Sequence, residues 1–111
     1  MSRIVLAAAL AVFALAAVPA GAAGGPTVFV VDNAFVRDVQ RPVVRIAAGT
    51  TVTWAWRSQQ SHGVSGSGPQ RFASAIRSRG AFRHRFTRPG SYRIICPLHA
   101  PGMKMTVVVR R

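Results

Sequence analysis

Tyr92-Arg93-Ile94-Ile95-Cys96-Pro97-Leu98-His99-Ala100-Pro101-Gly102-Met103, followed closely by Thr106-Val107-Val108-Val109, is the stretch that decides how this 111-residue chain folds. Its two ends are rich in aromatic and β-branched residues, the composition of strands. The middle is a tight Pro/Gly loop. That loop carries one thiol, one imidazole and one thioether, and Cys96 is the only cysteine in the chain. A second imidazole, His62, follows another strand-like run upstream. Two His, one Cys and a weak Met are the donors of a trigonal copper site that cycles between Cu(I) and Cu(II).

Working outward from this loop, the chain shows short β-rich runs broken by Gly, Pro, Asn and Ser, and no helix-period run of useful length. This is the pattern of a sandwich or a small barrel. Thr27 to Val31 is the first predicted strand, and Asp32-Asn33 is a turn signal. Val43 to Ala47 is the next strand. Val52, Trp54 and Trp56 then alternate with Thr53, Ala55 and Arg57, so both tryptophans fall on one face. Trp54 reads as core; Trp56, nearer the strand end, belongs either to the core or to the rim of the site. Gly63 to Pro69 reads as loop, and Arg71 to Ser78 as one helical turn or an irregular crossing segment. Phe82, His84 and Phe86 alternate with Arg83 and Arg85, which makes His84 a structural histidine facing the interior or its edge. Pro89-Gly90 turns the chain into the Cys96 strand.

The N-terminal segment has a different character. Ser2-Arg3 precedes an uncharged run from Ile4 to Val18, then Pro19 and the small residues Ala20-Gly21-Ala22. This is the layout of a secretory signal peptide, and the run is shorter than the roughly 20 residues of a membrane span. Residues 1–22 are therefore expected to be a cleaved signal and residues 23–111 a single small domain. Export sharpens the cysteine argument. In an oxidising compartment cysteines come in pairs, and a lone one next to His99 points to its own chemistry rather than to a disulfide.

The chain carries a formal charge of +13, with Asp32 and Asp38 its only acids and Lys104 its only lysine. Such a surface attracts acidic protein faces, anionic lipid headgroups or acidic wall polymers, and the attraction is weakened by salt. Nucleic acid is not an expected partner of an exported chain. The arginines are spread along the sequence, so no single binding face can be read from it. Nothing pairs Asp32 and Asp38 into an acid/base machine.

Taken in order, Gly49 to Trp54, Ser61-His62-Gly63-Val64, Phe82 to Phe86, Pro89-Gly90-Ser91-Tyr92 and Cys96 to Val109 resemble the cupredoxins, in their small plastocyanin, amicyanin and halocyanin branch. The resemblance covers essentially the whole chain after the signal. It implies an all-β Greek-key sandwich of about six to eight strands. It also implies one copper ion with His62, Cys96 and His99 as equatorial ligands and Met103 as the axial one. Two departures stand out. Three residues separate His99 from Met103, where amicyanin-like chains have two and plastocyanin-like chains four, so Met105 competes as the axial donor. Met103 is favoured because Val107 and Val109 then keep the family's register. Gly63 stands where the family often has an Asn that ties two loops together. That brace is either missing or supplied from elsewhere, with Ser61 and Ser65 the nearest candidates.

The function expected on these grounds is that of an exported one-electron carrier, monomeric and not an enzyme, acting outside the cytoplasm between redox partners whose docking faces are acidic. His99 is expected to emerge through an apolar patch made by Pro97, Leu98, Ala100 and Pro101, extended by Ala34 and Phe35. The competing function is copper handling at the cell envelope, as a chaperone or scavenger without redox duty. A Cys-His hydrolase would need an accessible, activated thiolate, and no oxyanion-hole or substrate-pocket signature accompanies Cys96.

Overall fold

Alternation of buried and exposed side chains runs through almost every extended segment of the computed structural model, which describes residues 25–111. The expected signal segment, residues 1–22, lies outside them. Nine strands form: β1 (Thr27–Val31), β2 (Ala34–Val36), β3 (Val43–Ala47), β4 (Thr50–Trp56), β5 (Ser65–Ser67), β6 (Phe72–Ala73), β7 (Ala81–Phe86), β8 (Gly90–Ile95) and β9 (Lys104–Arg110). They make two facing sheets, ordered β2-β1-β4-β7 and β3-β9-β8-β5-β6. The all-β expectation holds, and the described residues contain no helix.

The strand count exceeds the six to eight expected, because short strands arise where the sequence reads as loop. Ser65–Ser67 pairs with β8, and Phe72–Ala73 pairs with β5. Their local signals are weak: β5 is Ser-Gly-Ser and has no β-propensity of its own. Pairing to the edge of a formed sheet imposes the strand. Gly66 permits it, since a Cβ there would lie 2.2 Å from the Phe72 ring. The segment from Arg71 to Ser78 therefore contains a strand and an isolated bridge from His62 to Arg77, not a helical turn.

The inward faces follow the period of two. Val28 and Val30 of β1, Val44 and Ile46 of β3, Val52, Trp54 and Trp56 of β4, Tyr92 and Ile94 of β8, and Met105, Val107 and Val109 of β9 fill one core. Burial of such side chains contributes roughly 1.5–3 kcal/mol each. Both tryptophans are indeed on one face and buried. Where the chain crosses from β7 in one sheet to β8 in the other, buried Tyr92 donates its hydroxyl to the Arg88 carbonyl at 2.7 Å. That contact pins the corner.

Parallel pairing sets up the functional end of the sandwich. β1 runs parallel to β4, with Val30 opposite Trp56. The C-terminal ends of these two strands therefore lie side by side, and Asp32, just past β1, comes next to the segment leading to His62. β3 runs parallel to β9, and β8 pairs antiparallel to β9 so that Ile95 faces Lys104. The Cys96–Met103 loop consequently springs from adjacent strand ends.

Candidate metal centre

Cys96 follows directly on β8 and Met103 directly precedes β9. The loop between them closes on itself through its backbone. The Cys96 amide donates to the Met103 carbonyl at 3.0 Å, and the amides of His99 and Met103 donate to the carbonyls of Cys96 and His99 at 3.1 and 3.2 Å. A loop whose amides are internally satisfied holds its side chains on a small, fixed frame. His62 is positioned from the other side. Its backbone exchanges both hydrogen bonds with Arg77, at 2.9 and 3.0 Å. Its carbonyl accepts the Trp56 indole N–H at 3.0 Å. Trp56 is thus both core and support, and the Arg77 guanidinium lies over its ring.

Three donors converge. His62 Nδ1 and His99 Nδ1 are 3.2 Å apart. Cys96 Sγ lies 3.5 Å from His99 Nδ1 and 4.0 Å from His62 Nδ1. Among the described residues, these three side chains form the one group of donors close enough to hold a metal ion together. The point equidistant from the three atoms lies about 2.1 Å from each, close to metal–imidazole and metal–thiolate bond lengths. His62 and Cys96 have no solvent exposure, and His99 is partly exposed. A soft thiolate with two imidazoles suits copper in both of its common oxidation states.

The two methionines have different environments. Both are buried. Met105 Sδ accepts the Trp54 indole N–H at 3.4 Å, within the core. Met103 closes the loop that begins at Cys96, with its amide bonded to the carbonyl of His99. His84 lies apart from the donor group. It stacks on Phe72 at 3.9 Å and meets Phe86 edge-on, and burial pushes its pKa down.

Three features were not read from the sequence. The first is Asp32. Its Oδ1 accepts from His62 Nε2 at 2.9 Å and from the Gln60 amide at 3.0 Å, while Oδ2 accepts from the Gln59 amide at 3.2 Å. These bonds, led by the one to His62, hold its carboxyl below the usual carboxylate pKa. The side chain that holds His62 from behind is therefore that of Asp32, not of Ser61 or Ser65. The second is Ile76, which is 48% exposed and whose Cδ1 would lie 2.6 Å from a Cβ at Gly63. A larger residue at position 63 would displace it. The third is a correction. Phe35 is buried opposite Val30 on β2 and cannot extend a surface patch, because strand alternation turns it inward. The apolar surface around His99 is made instead by exposed Leu98 and its proline and alanine neighbours, with Ile76 beside Pro97 and Gly63.

No family model matches the chain. Among curated proteins it is similar to amicyanin-alpha of Methylorubrum extorquens, with 39% identity over 107 residues that cover 92% of this chain and 86% of that one. Among solved structures it is similar to a mutant amicyanin in the Cu(I) form, at 25% identity and a TM-score of 0.65 over 78% of this chain and 83% of that one. A purple cupredoxin from Nitrosopumilus maritimus shares the fold, at 24% identity and a TM-score of 0.63 over 76% of this chain and 98% of that one. A copper-containing nitrite reductase from Thermus scotoductus matches at 29% identity and a TM-score of 0.63, over 78% of this chain but only 22% of that enzyme. With its donor loop, its two-sheet sandwich and this degree of identity to a curated amicyanin, the chain belongs to the amicyanin family of cupredoxins.

Proposed function

We infer that this protein is a one-electron carrier that holds a single copper ion at His62, Cys96, His99 and Met103 and works outside the cytoplasm. The observation that carries this reading is the convergence of His62 Nδ1, His99 Nδ1 and Cys96 Sγ, all within 4.8 Å of one another. Copper, when bound, supplies a reversible one-electron couple. The chain supplies the rest. Short backbone bonds across the Cys96–Met103 loop and the paired bonds between His62 and Arg77 keep the donors from moving, so that a change of redox state requires little rearrangement. Burial of Cys96 and His62 excludes water and other thiols from the site. Partial exposure of His99 leaves one ligand edge for contact with a partner. Met103 is favoured over Met105 as the axial donor because the Met105 sulfur is engaged by Trp54.

Export is supported by the charge-poor run from Ile4 to Val18 and the small residues after Pro19. The partners proposed are redox proteins with acidic docking faces, attracted by a chain whose charge of +13 falls only to +12 when Arg3 leaves with the signal. A carrier of electrons needs no substrate pocket, and on this reading the protein is not an enzyme.

The test is a visible spectrum of the purified protein after addition of Cu(II). An intense charge-transfer band from the Cys96 thiolate is expected, and Cys96→Ser should abolish it. Stoichiometric Cu(II) uptake without colour would refute the thiolate site.

A further inference from the structure

The geometry points to Asp32 as the residue that sets which nitrogen of His62 is free to bind a metal. The inference rests on the copper reading above but goes beyond it, since it concerns how a ligand is made ready before any metal arrives.

His62 has no solvent exposure. Its Nε2 lies 2.9 Å from Asp32 Oδ1, and an ionised carboxylate only accepts hydrogen bonds. The proton of the neutral ring therefore resides on Nε2. That leaves the lone pair on Nδ1, the atom facing His99 Nδ1 and Cys96 Sγ. Without Asp32, the N–H at Nε2 would lose its carboxylate acceptor, at a cost in free energy for a buried ring. The ring would relieve that cost by moving its proton to Nδ1, where it blocks the donor position. The carboxylate thus holds both tautomer and ring orientation, as carboxylates behind metal-binding imidazoles do.

The carboxylate is itself held. Two backbone amides, those of Gln59 and Gln60, bind its two oxygens. The turn that carries it joins β1 to β2, with Asn33 at a φ of 65°. The parallel pairing of β1 with β4, extended by the Arg57 amide bonding the Val30 carbonyl at 2.8 Å, fixes the distance between that turn and His62. Asp38 is the only other acid in the chain, on the segment after β2, so no neighbouring carboxylate stands in when Asp32 is removed. In a chain of +13, this single negative charge also lies against one ligand, where it favours the more highly charged metal state.

The test uses the whole protein in three forms: wild type, Asp32→Asn and Asp32→Ala. The first measurement needs no metal. Long-range proton–nitrogen NMR of the apo protein reads the His62 tautomer, expected as Nε2–H in the wild type and mixed or Nδ1–H in Asp32→Ala. The second is Zn(II) affinity, expected to fall by about 10–100-fold in Asp32→Ala. The third is the reduction potential of the copper form. Asp32→Asn keeps an acceptor oxygen but loses the charge, so it should retain the tautomer and still raise the potential. A wild-type apo His62 protonated at Nδ1 overturns the inference, and that arm stands even if a variant fails to fold. So does an Asp32→Ala variant with unchanged Zn(II) affinity and potential. A wild type that takes up no copper overturns the copper reading instead, and the apo tautomer then decides the role of Asp32 alone.

Discussion

Exchanging each methionine for leucine in turn separates the two in opposite directions. Leucine and methionine are close in volume, and such swaps in a packed core cost less than about 1.5 kcal/mol. Met105→Leu, however, also removes the sulfur that accepts the Trp54 indole N–H at 3.4 Å. Trp54 has no solvent exposure, so water cannot replace that acceptor. An unpaired buried donor costs roughly 1–3 kcal/mol, and the lower part of that range applies because a thioether is a weak acceptor. In a domain of this size each kcal/mol moves the melting temperature by roughly 4–8 °C. Met105→Leu should therefore melt several degrees below the wild type in the apo form while leaving the potential of the copper form nearly unchanged. Met103→Leu should do the reverse. Its apo stability should stay close to wild type, and its potential should rise, because losing a weak axial donor disfavours Cu(II). Thermal denaturation of the apo proteins and voltammetry of the copper forms read the two effects separately. A potential that moves with Met105→Leu and not with Met103→Leu would refute the assignment of the axial donor. An apo Met105→Leu protein as stable as wild type would show that the Trp54 contact carries no weight.

Phe35→Ala should destabilise the fold by about 3–5 kcal/mol and leave the rate of electron exchange with a partner unchanged once the protein is folded, because Phe35 is core and not docking surface; urea unfolding and stopped-flow kinetics check the two halves. His84 is held below its usual value of 6.5 by burial, so the unfolded chain binds its proton more readily and stability should decline as pH falls below about 6.5. His84→Phe should flatten that slope in denaturation measured across pH. Electron transfer with an acidic partner should slow as ionic strength rises while the visible spectrum stays fixed. Replacing Arg71 and Arg93, which border Ala100 and Pro101 of the Cys96–Met103 loop, should weaken the salt dependence more than replacing Arg85 on the opposite sheet; equal effects would remove any local steering by these two arginines.

What the sequence determined by itself is local. Alternation at a period of two depends only on successive Cβ atoms pointing to opposite faces, so the shared face of Val52, Trp54 and Trp56 on β4, and that of Phe82, His84 and Phe86 on β7, could be read residue by residue. The Cys96-x-x-His99 loop is equally local, since a few backbone bonds close it. What only the tertiary structure decided depends on which segments meet. The strands Ser65–Ser67 and Phe72–Ala73 exist because a neighbouring sheet edge satisfies their backbone, not because of their side chains. Phe35 turns inward because β2 pairs with β1 in a register that sets it opposite Val30. Ile76 reaches the side of Gly63 from 13 residues away. Asp32 reads in sequence as half of a turn signal, 30 residues from His62. Parallel pairing of β1 with β4 brings their C-terminal ends together, and that pairing is what sets the Asp32 carboxylate against the buried His62 imidazole.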